Sequence, residues 1–157
     1  ILPASLLSAQ PALAASAGRV TRQSEGALPD GAVHVVDTFG DLGTFFALAP
    51  VVLVGGSLRP LGGHNPAEPA AHGAALLTGP DHGEMFAPFL GAGAASVVPD
   101  AAALAAAVER LMADDARRAA QAERAAAALA AERGAVDRTV AALRPRLALA
   151  TAPGRAA

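Results

Sequence analysis

The residues best equipped for chemistry are gathered in one stretch, GGSLRPLGGHNPAEP at 55–69, where Ser57, His64, Asn65 and Glu68 stand among four glycines and three prolines. A carboxylate, an imidazole, an amide and a hydroxyl together supply the donors and acceptors that hold a small polar ligand. Gly62 and Gly63, like the two glycines that open the stretch, allow backbone to come close to such a ligand, so their amides are expected to reach an anion such as a phosphate. A second candidate group lies upstream in DTFGDL, with Thr38, Gly40, Asp41 and Leu42. Asp37 and Asp41 look like paired carboxylates for acid and base work. An Asp between a strand end and a helix start is more often a cap, however, and the two are assigned to ligand positioning at most. The histidines at 34, 64, 72 and 82 form no HExxH-like pair, and there is no cysteine, so a metal site or a thiol nucleophile is not expected. His34, within a strand, and His72, near a helix end, read as structural.

The surrounding elements place the stretch. VHVVD (33–37) reads as a strand, and TFGDLGTFFALA (38–49) as a short helix with Leu42, Phe45, Phe46 and Ala49 on one face. VVLV, running into Gly55 and Gly56, reads as a parallel strand buried on both faces. NPAEPAAHG (65–73) carries a helix start: Asn65 as N-cap, Pro66 in the first helical position, Glu68 two residues later, with Gly73 as the stop. AALLTGP (74–80) and ASVVP (95–99) give two more strands, with EMFAPFLGAG as a short helix between them. From Asp100, an N-cap, the chain reads as helical to 144 with a break at Gly134. Leu104, Val108, Leu111 and Met112 fall on one face, so the alanine-rich run is a packed helix. Alternating strands and helices imply an α/β, Rossmann-like parallel sheet with helices on both faces. The 55–69 loop then leaves the C-terminal end of a parallel strand, the edge at which open α/β sheets bind ligands, and enters a helix whose free amides could meet an anion. The same glycines and the Asn-Pro-x-Glu sequence also serve as a plain strand-to-helix turn, and on motif physics alone both readings stand.

Composition narrows the class. At 157 residues and 53% hydrophobic the chain can bury the core of one domain, and a net charge of −2 with scattered basic residues offers no footprint for nucleic acid. No apolar run of about 18 residues free of glycine, proline and charge suggests a membrane span. The opening ILPASLLSAQPALAASAGRV lacks the basic start of a signal peptide and reads as the interior of a longer protein.

The order of residues in VVLVGGSLRPLGGHNPAEPAAHGAALLTGP resembles the donor-binding half of the 3-deoxy-D-manno-octulosonic acid (Kdo) transferases. The resemblance extends to VVDTFGDLGTFFALAPVVLVGGS, which is similar to a Gly-Asp-Thr-x-Gly-Glu-Leu region of that family, and to the helices through RGAVDRTVAALRP. It covers roughly residues 20–147. What it implies is the C-terminal half of a GT-B glycosyltransferase that binds CMP-Kdo and transfers Kdo to a lipid A precursor in lipopolysaccharide core synthesis. The implied transfer is inverting, needs no cofactor beyond the donor substrate, and uses a carboxylate base from an N-terminal acceptor domain that also associates with the inner membrane at its cytoplasmic face. On that basis no catalytic residue is expected in this chain, which alone should be soluble and inactive. Residues 1–147 would form the donor domain and 148–157 a disordered tail. The resemblance assigns donor binding to Thr38, Gly40, Asp41, Leu42, Ser57, Gly62, Gly63, His64, Asn65 and Glu68, with Glu68 accepting ribose hydroxyls. Gly40-Asp41-Leu42 departs from Gly-Glu-Leu by one methylene, and DHGEMFAPF departs from the family's Asn-Phe after Gly79-Pro80. A donor domain for a UDP-sugar and a non-catalytic nucleotide-binding module are the alternatives.

Overall fold

The computed structural model describes residues 19–28 and 30–148. The expectations for the opening segment and, past Ala148, for the tail at 148–157 fall outside those residues. Among them the elements run β1 (Val20–Arg22), a 3-10 turn, β2 (Val33–Val35), α1 (Leu42–Leu48), β3 (Val51–Val54), α2 (Ala67–Ala71), β4 (Ala75–Thr78), a second 3-10 turn, α3 (Ala87–Gly91), β5 (Ala95–Val97), α4 (Ala101–Ala113), α5 (Asp115–Ala131) and α6 (Ala135–Ala148).

The class is α/β with parallel pairing, as the alternation implies, but the described strands form two sheets instead of one. β3, β4 and β5 lie side by side in that order, with Val51 opposite Ala75 and Leu76 opposite Ala95. β2 pairs with β1, Val33 opposite Val20. A three-residue strand such as β1 has too little alternation to stand out in sequence.

Helices cover both faces of the three-stranded sheet because successive residues of β4 point in opposite directions. Leu76 packs with Ala70, Phe86, Phe89, Ala125 and Ala128, contributed by α2, the second 3-10 turn, α3 and α5. Ala75 and Leu77 face the other way, onto Ala107 and Leu111 of α4. All four residues of β4 are buried. The strand expected to be buried on both faces, β3, is instead an edge of this sheet, and only Val54 in it is fully buried. Alanine at 70, 74, 94, 125 and 128 lets α2, α3 and α5 approach the sheet closely, which is why the low-complexity run packs. Gln121 adds a polar tie, its Nε2 donating to the Leu76 carbonyl at 2.8 Å.

Two details of the helices differ from the pattern. Met112 is exposed although Leu104, Val108 and Leu111 pack. None of α1 is buried, and its two phenylalanines meet histidines instead, Phe45 stacking on His34 at 5.5 Å between ring centres and Phe46 tilting toward His72 at 6.4 Å. Asp100 caps α4 as expected, accepting from the Ala103 amide at 2.8 Å, and Gly134, with φ 86°, breaks the helix between α5 and α6.

Candidate functional site

The loop after β2 carries Thr38, Gly40, Asp41 and Leu42 up to the first turn of α1, and the loop after β3, at the C-terminal edge of the three-stranded sheet, carries Ser57, Gly62, Gly63, His64, Asn65 and Glu68 into the first turn of α2. After β3 the chain turns back on itself. The Gly63 amide donates to the Gly56 carbonyl at 2.9 Å and the His64 amide to Gly55 at 3.0 Å. That doubled-back loop lays the His64 ring over the two glycines, where a first side-chain carbon on Gly55 or Gly56 would stand 3.5 Å from its Cδ2.

Asn65 does cap the next helix. Its Oδ1 accepts from the Ala67 amide at 2.9 Å, and Pro66 already has helical dihedrals, φ −78° and ψ −13°. Regular helix spans only Ala67–Ala71, because Pro69 has no N–H to give to the Asn65 carbonyl. The same chemistry weakens the helix start as an anion site. Pro66 and Pro69 lack amide protons and Ala67 is engaged by Asn65, so of these first positions Glu68 alone keeps an amide to offer.

The glycine pair does not aim its amides at a ligand either. Gly62 donates to Asp81 Oδ2 at 2.8 Å while Gly63 donates across the loop. Both have positive φ, 79° and 68°, and a side chain on Gly63 would begin 3.0 Å from the His82 carbonyl oxygen. Their glycine identity is accounted for by the turn and by this backbone approach. Ser57 is likewise internal. It is 1% exposed, its hydroxyl donates to the Val54 carbonyl at 2.6 Å and accepts from the Gly79 amide at 2.8 Å, and so it joins the ends of β3 and β4.

What remains open at this edge is a set of side chains. His64, Asn65 and Glu68 are exposed, and the amide nitrogen of Asn65 is left over from its capping bond. The first turn of α1 lies beside them: a carbon on Gly43 would stand 4.0 Å from Glu68 Oε1 and 3.6 Å from His72 Nε2. The structure thereby brings Leu42, next to Gly43 in the chain, and Asp41 one residue before it toward the side of Glu68. Gly40 has φ 93°, and the Thr38 hydroxyl donates to Asp41 Oδ2. Asp37 stands apart. Its carboxylate accepts from the Ser24 hydroxyl at 2.7 Å, the Ser24 amide at 2.9 Å and Arg22 at 2.7 Å, and so it staples the segments that follow β1 and β2. The two bonds from Ser24, then the Arg22 guanidinium, hold its pKa down at about 2 against the opposing effect of burial.

The remaining histidines meet partners within the chain, His72 through the tilted ring of Phe46. His34 pairs through Nδ1 with Thr21 and through Nε2 with Gln23, and His82 donates from Nδ1 to the Gly83 carbonyl. Among the described residues no group of three or more His, Asp or Glu could hold a metal ion, and no helix is long and apolar enough to cross a membrane. Sequence reasoning missed Asp81 and the close backbone approaches of Gly79 and Gly83 to the 57–62 loop. The run GPDHG marks a turn in the sequence, but nothing local in it says which other loop it touches.

No family model matches the chain. It is similar to the 3-deoxy-D-manno-octulosonic acid transferase of Haemophilus influenzae, 33% identical over 132 residues, covering 80% of this chain and 31% of that protein. It is also similar to the enzyme of the same name from Rickettsia prowazekii, 38% identical over 63 residues, covering 39% of this chain and 13% of that one. A probable mitochondrial 3-deoxy-D-manno-octulosonic acid transferase of Arabidopsis thaliana is 48% identical over 48 residues, 30% of this chain and 11% of the relative. The chain thus spans less than a third of the length of each of these relatives. Among solved structures it resembles the C-terminal CMP-Kdo binding domain of WaaA from Acinetobacter baumannii, with a TM-score of 0.67 and 27% identity over 70% of this chain and 60% of that one.

Proposed function

We propose that this chain, a relative of the Kdo transferases by sequence and by fold, is the part of such an enzyme that binds the donor CMP-Kdo. The observation that supports it most is the likeness of its fold to a domain that binds this nucleotide sugar, over most of the described residues. Residues 1–147 would make up the donor domain, the C-terminal half of a GT-B enzyme, and the acceptor domain and the catalytic carboxylate base would come from elsewhere in the longer protein. There Kdo would pass to a lipid A precursor at the cytoplasmic face of the inner membrane, in lipopolysaccharide synthesis.

The geometry favours recognition by side chains over recognition by loop amides. Glu68, exposed beside the first turn of α1, is suited to accept both ribose hydroxyls. His64 and the free amide of Asn65 are donors on the same loop for the phosphate. Gly40, Asp41 and Leu42 begin α1 ahead of its first internal hydrogen bond, from the Thr44 amide to the Asp41 carbonyl at 3.1 Å, and their own amides remain as a second group of donors. Thr38 fixes the Asp41 side chain beside them. Ser57, Gly62 and Gly63 serve the same site indirectly, by shaping the loop. As the cytidylate leaves, donors already in place stabilise its growing charge without reorganising.

Calorimetric titration of the chain with CMP and with UDP tests the reading. Saturable binding of CMP, with UDP weaker, is expected. Tighter binding of UDP would assign the site to a different nucleotide sugar, and no heat with either would remove the nucleotide from the account.

A further inference from the structure

Beyond the residues that would touch the nucleotide, we infer that Asp81 is a positioning residue for the site, a clamp that fixes the 55–64 loop in the form that presents His64 and Asn65. The inference rests on the reading of that loop as the donor site. Asp81 holds both limbs of the loop at once. Its side-chain Oδ2 accepts the Gly62 amide at 2.8 Å, and its backbone amide donates to the Ser57 carbonyl at 3.0 Å.

Around this residue the two segments meet backbone to backbone. A first side-chain carbon on Gly79 would fall 2.1 Å from the Ser57 carbonyl oxygen, one on Gly83 2.6 Å from that of Gly62, and one on Gly63 3.0 Å from that of His82. Glycine at these points permits contact but supplies no side chain to lock it. Leu58, Arg59, Pro60 and Leu61, at the tip of the loop, are all exposed and cannot hold it by burial. The carboxylate–amide bond of Asp81 is therefore the side-chain contact that joins the far limb of the loop to the segment after β4. The Gly63 and His64 amide bonds to Gly56 and Gly55 follow directly in the chain, so the Gly62 anchor sets where His64 and Asn65 stand.

The clamp requires an oxygen acceptor at this reach and no particular charge, which separates it from an electrostatic effect on the ligand. The full chain is compared with Asp81→Asn and Asp81→Ala by CMP calorimetry, by thermal melting, and by hydrogen exchange of the Gly62 amide. Asp81→Ala is expected to lose about tenfold in CMP affinity, beyond any loss of folded fraction, and to exchange the Gly62 amide about tenfold faster or more. Asp81→Asn, which keeps a side-chain oxygen, is expected to restore both to within about twofold. If Asp81→Ala does not fold, Asp81→Ser, too short to reach Gly62, takes its place. Unchanged CMP affinity in the alanine variant, or an asparagine variant as weak as the alanine one, overturns the inference. Unprotected Gly62 in the wild type overturns the clamp itself. A wild-type chain that protects Gly62 but binds no CMP leaves the contact standing and overturns its role at a nucleotide site, a failure of the functional reading that this set of measurements tells apart.

Discussion

At the scale of single residues, the candidate side chains divide by what already engages them. Glu68 is exposed at the rim beside Gly43, whereas Ser57 is buried with its hydroxyl bound on both sides and Gly62 and Gly63 have their amides engaged in the turn. Glu68→Ala should therefore weaken CMP about tenfold or more, since a hydrogen bond to a charged group contributes about 1.5–3 kcal/mol, with little change in melting temperature. Calorimetry beside thermal melting checks this, and an unchanged affinity with a clear loss of stability would make Glu68 a helix-start residue only. Gly63→Val should do the reverse. With φ at 68° and the His82 backbone at 3.0 Å, the substitution combines left-handed strain of about 1–3 kcal/mol with a contact so tight that the His82 backbone must give way. The domain should lose stability while its folded fraction binds CMP and cytidine in the wild-type ratio. A selective loss of CMP would return a phosphate to the Gly63 amide.

At the scale of elements, the part of the fold that was legible in sequence is the part set locally. Asp100 and Asn65 were readable as caps because capping joins neighbours in the chain. β4 against β3 was not, since AALLT and VVLVG look equally buried and only the strand order makes one central and the other an edge. The side chains of the candidate site were likewise visible as a loop rich in polar groups, but the engagement of Gly62 by Asp81 depends on two segments far apart in sequence meeting at one sheet edge. The β1–β2 staple is of this same non-local kind and makes a pH test. Asp37 is held at about 2 by Ser24 first and by Arg22. Its folded-state value lies below the ordinary carboxylate value of about 3.9, so its contribution is complete above that value and is lost as pH falls from about 4 through about 2. Asp37→Asn should flatten the acid limb of stability in that window when unfolding is followed by circular dichroism. Parallel acid limbs for the two proteins would mean that the staple does not couple to folding.

At the scale of the whole molecule, a sheet covered on both faces by alanine-rich helices supports one edge of loops, and the chain spans less than a third of the relatives it matches. If it is the donor half of a transferase, binding and turnover should separate. The purified chain should take up CMP and yet transfer no Kdo to a lipid A precursor, because the acceptor site and the base would lie elsewhere. Radiolabelled transfer above a no-enzyme control would contradict that division. The most direct measurement is a crystal structure of the chain with CMP bound. The ribose hydroxyls are expected within hydrogen-bond distance of the Glu68 carboxylate, with the phosphate facing His64 and the Asn65 amide across from the first turn of α1. A nucleotide seated instead in the open groove of about 400 Å³ that runs from Asn65 past Met85 and Phe89 to Leu129, with no contact to Glu68 or His64, would contradict the account.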